Sequence, residues 1–307
     1  MAFNSGNTYN NAVRREDVSD LVYDLSPQEG FLLKTLGKTK ATNTYHEWVV
    51  DTLDAPADNA KIEGFDFTGN TINQPTRKGN ITQIFAQEVK VSGTDRAVQH
   101  YGITDPMDYQ KAKKAKVLAN EMELAVLRGT VNSGNATNLA RRMRGLIASI
   151  TTNATTQASA QTLNENILGD GIESVYRSGG NVDYVLAGIR LKRQMSKFTT
   201  NGTRFVDSKD KTLNSTIEIY MSDASEKPVK LVSHRFMPGA HTGDGTDGMV
   251  IGFDSTQFGL SQLRSPGVED VSKVGDSERA MIVAEVTLED RNQAAAFKIG
   301  NLHYATF

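Results

Sequence analysis

Apolar and polar positions along this chain follow helical spacing in some stretches and strict alternation in others. One long interval follows neither. Arg14–Leu25 places apolar residues at 18, 21, 22 and 25, the recurrence of a helix face. Ser26-Pro27 ends it, because the residue before a proline is driven toward extended backbone. Gly30–Leu36 is a short apolar patch closed by Gly37. Tyr45–Leu53 and Ile81–Val91 alternate apolar and polar residues, as half-buried strands do. Asp105-Pro106 starts a long helix, with Asp as N-cap and Pro at the first helical position. It runs to about Arg128 and stops at Gly129. Ala112, Ala115, Ala119, Met122 and Val126 form a narrow small-residue face on it, which predicts close packing there.

The second half alternates short elements. Thr130–Gln161 reads as irregular apart from Leu139–Ile150. Leu163–Arg177 is a predicted helix closed by Gly179-Gly180, Tyr184–Ala187 a short buried strand, and Ile189–Phe198 a helix. Ile217–Met221, Lys230–Ser233, Met249–Phe253 and Met281–Leu288 are predicted strands, with a loop over Pro238–Gly248. The fold class is α+β. No internal repeat or clean linker divides the chain, which points to two intercalated lobes.

The interval without periodicity is Asp54–Asn80, rich in Asp, Asn, Gly, Thr and Pro, with Ile62, Phe65 and Phe67 near its middle. A structureless stretch this long inside a compact domain is uncommon and is usually functional or disordered. Folded back as a ribbon, each half reaches about 40 Å at roughly 3.3 Å per residue. An apolar tip with no core beneath it predicts cover from another subunit. Ile62, Phe65, Phe67 and the nearby Trp48 are therefore the expected intersubunit contacts.

Composition changes this picture little. At 307 residues the chain can bury a sizeable core. No apolar run approaches the roughly 20 residues that span a bilayer, and the first residues lack the basic and apolar regions of a secretory signal. Cysteine is absent, which removes disulfides and thiolate chemistry. A net charge of −2 argues against a dedicated nucleic-acid binder. A dense cationic group is Lys111, Lys113, Lys114 and Lys116, a solvated face, a contact for an acidic neighbour, or a phosphate contact.

Candidate chemistry fails on context. Gly243–Gly248 spells GxGxxG but follows Pro238-Gly239 and precedes a strand, whereas phosphate binding needs a strand before and a helix N-terminus after. Its two aspartates also repel phosphate. No two of the five histidines lie at helical metal-pair spacing. Glu285, Glu289 and Asp290 cluster, with Glu285 and Glu289 on one strand face; they read as an edge or interface face. No catalytic residue, cofactor or metal is expected.

Several ordered stretches are similar to the major capsid proteins of tailed bacteriophages with the Hong Kong 97 fold. They are Arg15-Glu16-Asp17, Tyr45-His46-Glu47-Trp48, Gly79–Phe85, Val91–Thr94, Lys111–Lys116, Lys273–Glu278 and Thr287–Asn292. The resemblance implies an N-terminal arm (1–44), an extended loop (45–91), a peripheral domain (92–188) with a spine helix at 105–128, an axial domain (189–264), and a return to the peripheral domain (265–307). It implies self-assembly as pentamers and hexamers into an icosahedral shell around packaged DNA. Subunits would be made in the bacterial host cytoplasm and end in the virion. Partners would be a portal, decoration proteins and a separate scaffolding protein, since 44 residues are too few for a fused scaffold before the loop. The lysine cluster would be an inner-surface DNA contact. Two rivals stand beside this reading: a cellular encapsulin-type nanocompartment shell, and a hydrolase using the carboxylates near Glu285.

Overall fold

The computed structural model describes residues 30–303 except 55, 67–68, 70–71, 101, 135–138, 199–218, 223–226, 240–247 and 274. Residues 1–29 of the N-terminal arm, with the Arg14–Leu25 helix, and most of the Gly243–Gly248 loop lie outside the described residues.

Two sheets organise the fold. The first has four strands in the order β1 (Gly37–Lys40), β10 (Phe258–Val271), β11 (Ser277–Asp290) and β4 (Gln83–Ser92). Only β1 and β10 run parallel in it. The second has six strands in the order β5 (Ala154–Thr162), β12 (Ala296–His303), β9 (Gly248–Phe253), β6 (Tyr184–Ala187), β8 (Val229–Ser233) and β7 (Ile219–Tyr220). A separate two-stranded ribbon pairs β2 (Tyr45–Val50) with β3 (Thr76–Ile81), Tyr45 opposite Ile81.

One core joins the sheets. It gathers Leu32 from α1 (Phe31–Thr35) and Leu36 just after it, Leu118, Met122, Val126 and Leu127 from α3 (Pro106–Arg128, which follows the short α2 at Gly93–Ala97), Ile282, Ala284, Val286 and Leu288 from β11, and Ile251 and Phe253 from β9. A second core lies where α5 (Glu165–Arg177) and α6 (Ile189–Met195) cover the six-stranded sheet. Between α3 and α4 (Leu146–Ser149) the backbones nearly touch: a Cβ on Gly129 would lie 2.5 Å from the Ala125 carbonyl oxygen, and one on Gly145 2.5 Å from the Gly129 nitrogen. Only glycine fits both places.

The long helix starts and stops where its caps place it. Asp105 accepts from the Met107 amide, Pro106 opens the helix and Gly129 follows it. Its buried face differs from the small-residue face read from sequence. Ala112 and Ala115 are exposed, while Met107, Leu118, Met122, Val126 and Leu127 are buried. The inward stripe passes through Lys111 and Lys114, whose aliphatic stems serve as cover while their ammonium groups reach partners. Counting lysine as purely polar rotated the predicted face by about one position.

Other elements depart from the pattern for identifiable reasons. The predicted strand Ile81–Val91 is two strands broken at Thr82, whose buried hydroxyl donates to Glu285 Oε1 at 2.7 Å and whose amide donates to the Thr44 carbonyl. β5 lies inside the stretch read as irregular; its residues are Ala, Thr, Ser and Gln on a sheet edge, with no apolar alternation to detect. β10, a strand not predicted from the sequence, contains Pro266-Gly267. Its pairing with β11 shifts register on either side of Arg264, and bulges are where strands tolerate such residues.

Candidate assembly interface

The ribbon is fixed at its root. The Trp48 indole Nε1 donates to the Asp290 carbonyl at 3.0 Å. Asn80, 1% exposed, donates to the carbonyls of Leu288 (2.7 Å) and Arg144 (3.0 Å) and accepts from the Arg144 amide (2.9 Å). Its amide group thus stitches β3 to β11 and to the loop before α4. Arg144 completes the arrangement with its guanidinium 3.2 Å from both Asp290 carboxylate oxygens.

Beneath the root runs a stripe of carboxylates on β11. Glu285 accepts from Thr82, Arg141 (3.1 Å) and Arg264 (3.1 Å). Glu289 accepts from Thr39, Ser261 and Arg291, with His46 Nε2 at 3.6 Å. Burial pushes the Glu289 carboxyl up, but the hydrogen bonds from Arg291, Thr39 and Ser261 outweigh it and hold it below the ordinary range. Burial raises Asp290 against the opposing charges of Arg144 and Lys78. All three carboxylates are buried on an interior strand. That corrects their reading as an edge face: their partners come from residues 39–144 and 261–291, too distant in sequence to be read locally. Their acceptor positions face donors within the subunit.

The far end of the ribbon is built differently. Ile62 is 80% exposed, Phe65 52% and Leu53 99%. A turn with Gly64 in the left-handed region (φ +79°) brings the Phe65 amide to the Ile62 carbonyl at 3.2 Å, and Lys61 Nζ lies 5.9 Å from the Phe65 ring centroid. No core lies beneath these side chains among the described residues. Phe67 lies outside the described residues.

The four spine-helix lysines divide. Lys111 Nζ pairs with Asp270 at 3.0 Å and Lys114 Nζ donates to Gln87 Oε1 at 3.2 Å, both across to the four-stranded sheet. Lys113 and Lys116 are exposed on the opposite side. No cluster of metal-ligating side chains occurs among the described residues, and no helix among them is long and apolar enough to cross a membrane.

A family model for the SU10 major capsid protein matches residues 2–303. The chain belongs to that family. A major capsid protein of Escherichia phage Phieco32 is 23% identical over 324 aligned positions, covering 89% of this chain and 90% of that protein. Among solved structures, the capsid of a native GTA particle superposes with a TM-score of 0.67 at 13% identity, covering 98% of this chain and 100% of that one. The SrpI encapsulin of Synechococcus elongatus superposes with a TM-score of 0.61 at 12% identity, covering 96% and 95%. The fold is the Hong Kong 97 capsid fold, and the protein is a phage major capsid protein, a subunit of the virion shell.

In this SU10-family protein the four residues singled out on the ribbon separate. Trp48 is 9% exposed and engaged inside its own subunit, which leaves little of its ring for a neighbour. Ile62 and Phe65 stand clear of their own subunit. Sequence reasoning missed Asn80 and Arg144. A lone Asn inside a Gly-Asn pair carries no local sign that its amide will meet backbone from residues 144 and 288.

Proposed function

We propose that this capsid protein closes as pentamers and hexamers into the icosahedral head of a tailed double-stranded DNA phage, and that its ribbon fastens each copy to a neighbour. The observation that carries this is the contrast along one hairpin: a buried, hydrogen-bonded root and an exposed apolar end. Ile62 and Phe65, with Phe67 beside them in sequence, are the side chains a neighbour would cover. On this reading the ribbon is the extended loop within 45–91, the arm is 1–44, and the peripheral domain is 92–188 with the return at 265–307. The axial domain is 189–264. A separate scaffolding protein, a portal and decoration proteins would complete the head, with synthesis in the host cytoplasm. Lys111, Lys113, Lys114 and Lys116 are the candidates for non-specific DNA contact, with Lys113 and Lys116 the more exposed pair. The protein has no catalytic role on this reading.

Deleting Asp58–Asn70 tests the ribbon. The expected product is a folded subunit with unchanged circular dichroism that fails to form shells by electron microscopy; normal shells would refute the assignment. The encapsulin likeness supports a second reading, a protein-filled nanocompartment. Analysis of purified particles separates the two: DNA inside supports the phage head, a protein cargo the compartment.

A further inference from the structure

Where the two lobes meet, a carboxylate is buried without a cationic partner among the described residues. Glu123 on α3 and His234, just after β8, have fully buried side chains. Glu123 Oε1 accepts from the Leu32 amide at 2.7 Å and from His234 Nε2 at 2.9 Å, and Oε2 accepts from the Leu33 amide at 3.0 Å. The other imidazole nitrogen, Nδ1, accepts from the Phe236 amide at 3.2 Å. An accepting Nδ1 carries no proton, so Nε2 bears it and the ring is a neutral donor. One carboxylate therefore joins three elements: α1 at the start of the described chain, the spine helix, and the turn that leaves the six-stranded sheet.

The surrounding contacts are of another kind. Leu32, Met122, Val126, Met237 and Ile251 belong to the core joining the sheets. Apolar contact of this sort tolerates small rearrangements of shape and volume. Hydrogen bonds to a buried carboxylate do not, since an unpaired charge there is costly and the bonds weaken steeply off their geometry.

We propose that Glu123 is a latch that sets the angle between the spine helix and the six-stranded sheet, held jointly by α1 and the His234–Met237 turn. This rests on the shell reading in one respect: a chain placed in both pentamers and hexamers sits in rings of different curvature, and the latch limits how far the lobes tilt. Loosening either partner loosens the other, because both hold the same carboxylate.

Hydrogen exchange resolved at single amides, together with particle sizing, tests the latch. His234→Phe removes the Nε2 donor without touching α1. Exchange at the Leu32 and Leu33 amides is expected to rise by about tenfold or more in that variant, through local opening, and the shells it forms are expected to spread in diameter. His234→Gln retains an N–H donor toward Glu123 and is expected to return those amides to within about threefold of wild type. Glu123→Gln puts an amide nitrogen against at least one donor, the Leu33 N–H in its better orientation, and should speed exchange at Leu33 most; should it fail to accumulate, the two His234 variants carry both readouts. Unchanged protection of Leu32 and Leu33 in His234→Phe overturns the latch, as does faster exchange with an unaltered diameter distribution. Failure of the wild-type protein to close particles would sink the shell reading instead, and the exchange coupling would still decide the latch.

Discussion

The root and the tip of the ribbon are cut from one hairpin and obey opposite rules. At the root, Trp48, Asn80, Arg144 and Asp290 find their partners inside the subunit. At the tip, Ile62 and Phe65 face solvent in the single subunit. Two strands alone are marginally stable in water, so the root borrows rigidity from β11, and that rigidity aims the tip. On the proposed reading, the difference separates residues that answer to folding from residues that answer to assembly. Root substitutions should lower subunit stability first; tip substitutions should leave the subunit intact and stop the shell.

The largest effect is expected from Arg144→Ala, which leaves the buried Asp290 carboxylate without its ion pair and should cost about 3 kcal/mol at neutral pH. Its pH dependence sharpens the comparison. Burial raises Asp290 above its unfolded value against the pull of Arg144. A raised acid favours its protonated form in the fold, so its stabilising share is present below the unfolded carboxylate range and lost as pH rises through the folded value. The Arg144→Ala deficit should accordingly grow from pH 4 to pH 7 in denaturant titrations. A deficit independent of pH would show that the Arg144 side chain acts through its bond to the Gly79 carbonyl and its packing, not through the Asp290 charge.

Asn80→Ala comes next. It strands the Arg144 amide and removes donors from two carbonyls, a loss of about 2 kcal/mol by the cost of unsatisfied buried groups. A thermal midpoint within a degree of wild type would mean that water replaces the amide group and that the root is wet. Trp48→Phe removes the bond to the Asp290 carbonyl but keeps most of the ring, so about 1 kcal/mol is expected; loss of assembly with unchanged stability would return Trp48 to the interface. Smallest of all for the subunit, Phe65→Ser should change stability by less than about 0.5 kcal/mol while strongly lowering shell yield in sedimentation. A stability loss as large as the root variants would place Phe65 in a core and erase the contrast.

Sequence pattern revealed the elements whose signals are local. The spine helix was legible from Asp105-Pro106 and Gly129 because capping is a matter of adjacent residues. The helix α5 and the strand β6 were legible from spacing and burial pattern. β3, with Thr-Arg-Lys-Gly-Asn-Ile, was not, since a strand of a solvent-exposed ribbon needs no apolar face. The tip was legible because apolar residues on a polar loop stand out. The root was not, because its chemistry is assembled from positions up to 242 residues apart, and only the register of β11 brings them together. The same holds for Glu123 and His234, 111 residues apart.

The placement of β11 and β12 bears on timing. Residues 277–303 supply an interior strand to each sheet, β11 between β10 and β4, and β12 between β5 and β9. A ribosome-bound chain that has not released this stretch lacks the middle of both lobes, although its ribbon and spine helix are already made. The nascent chain thus carries an exposed apolar tip before it has a body to aim it. Prematurely terminated chains lacking these residues have no template on which β10, β4, β5 and β9 can join. The last strands to emerge, β11 and β12, are thus the ones that complete the middle of both sheets.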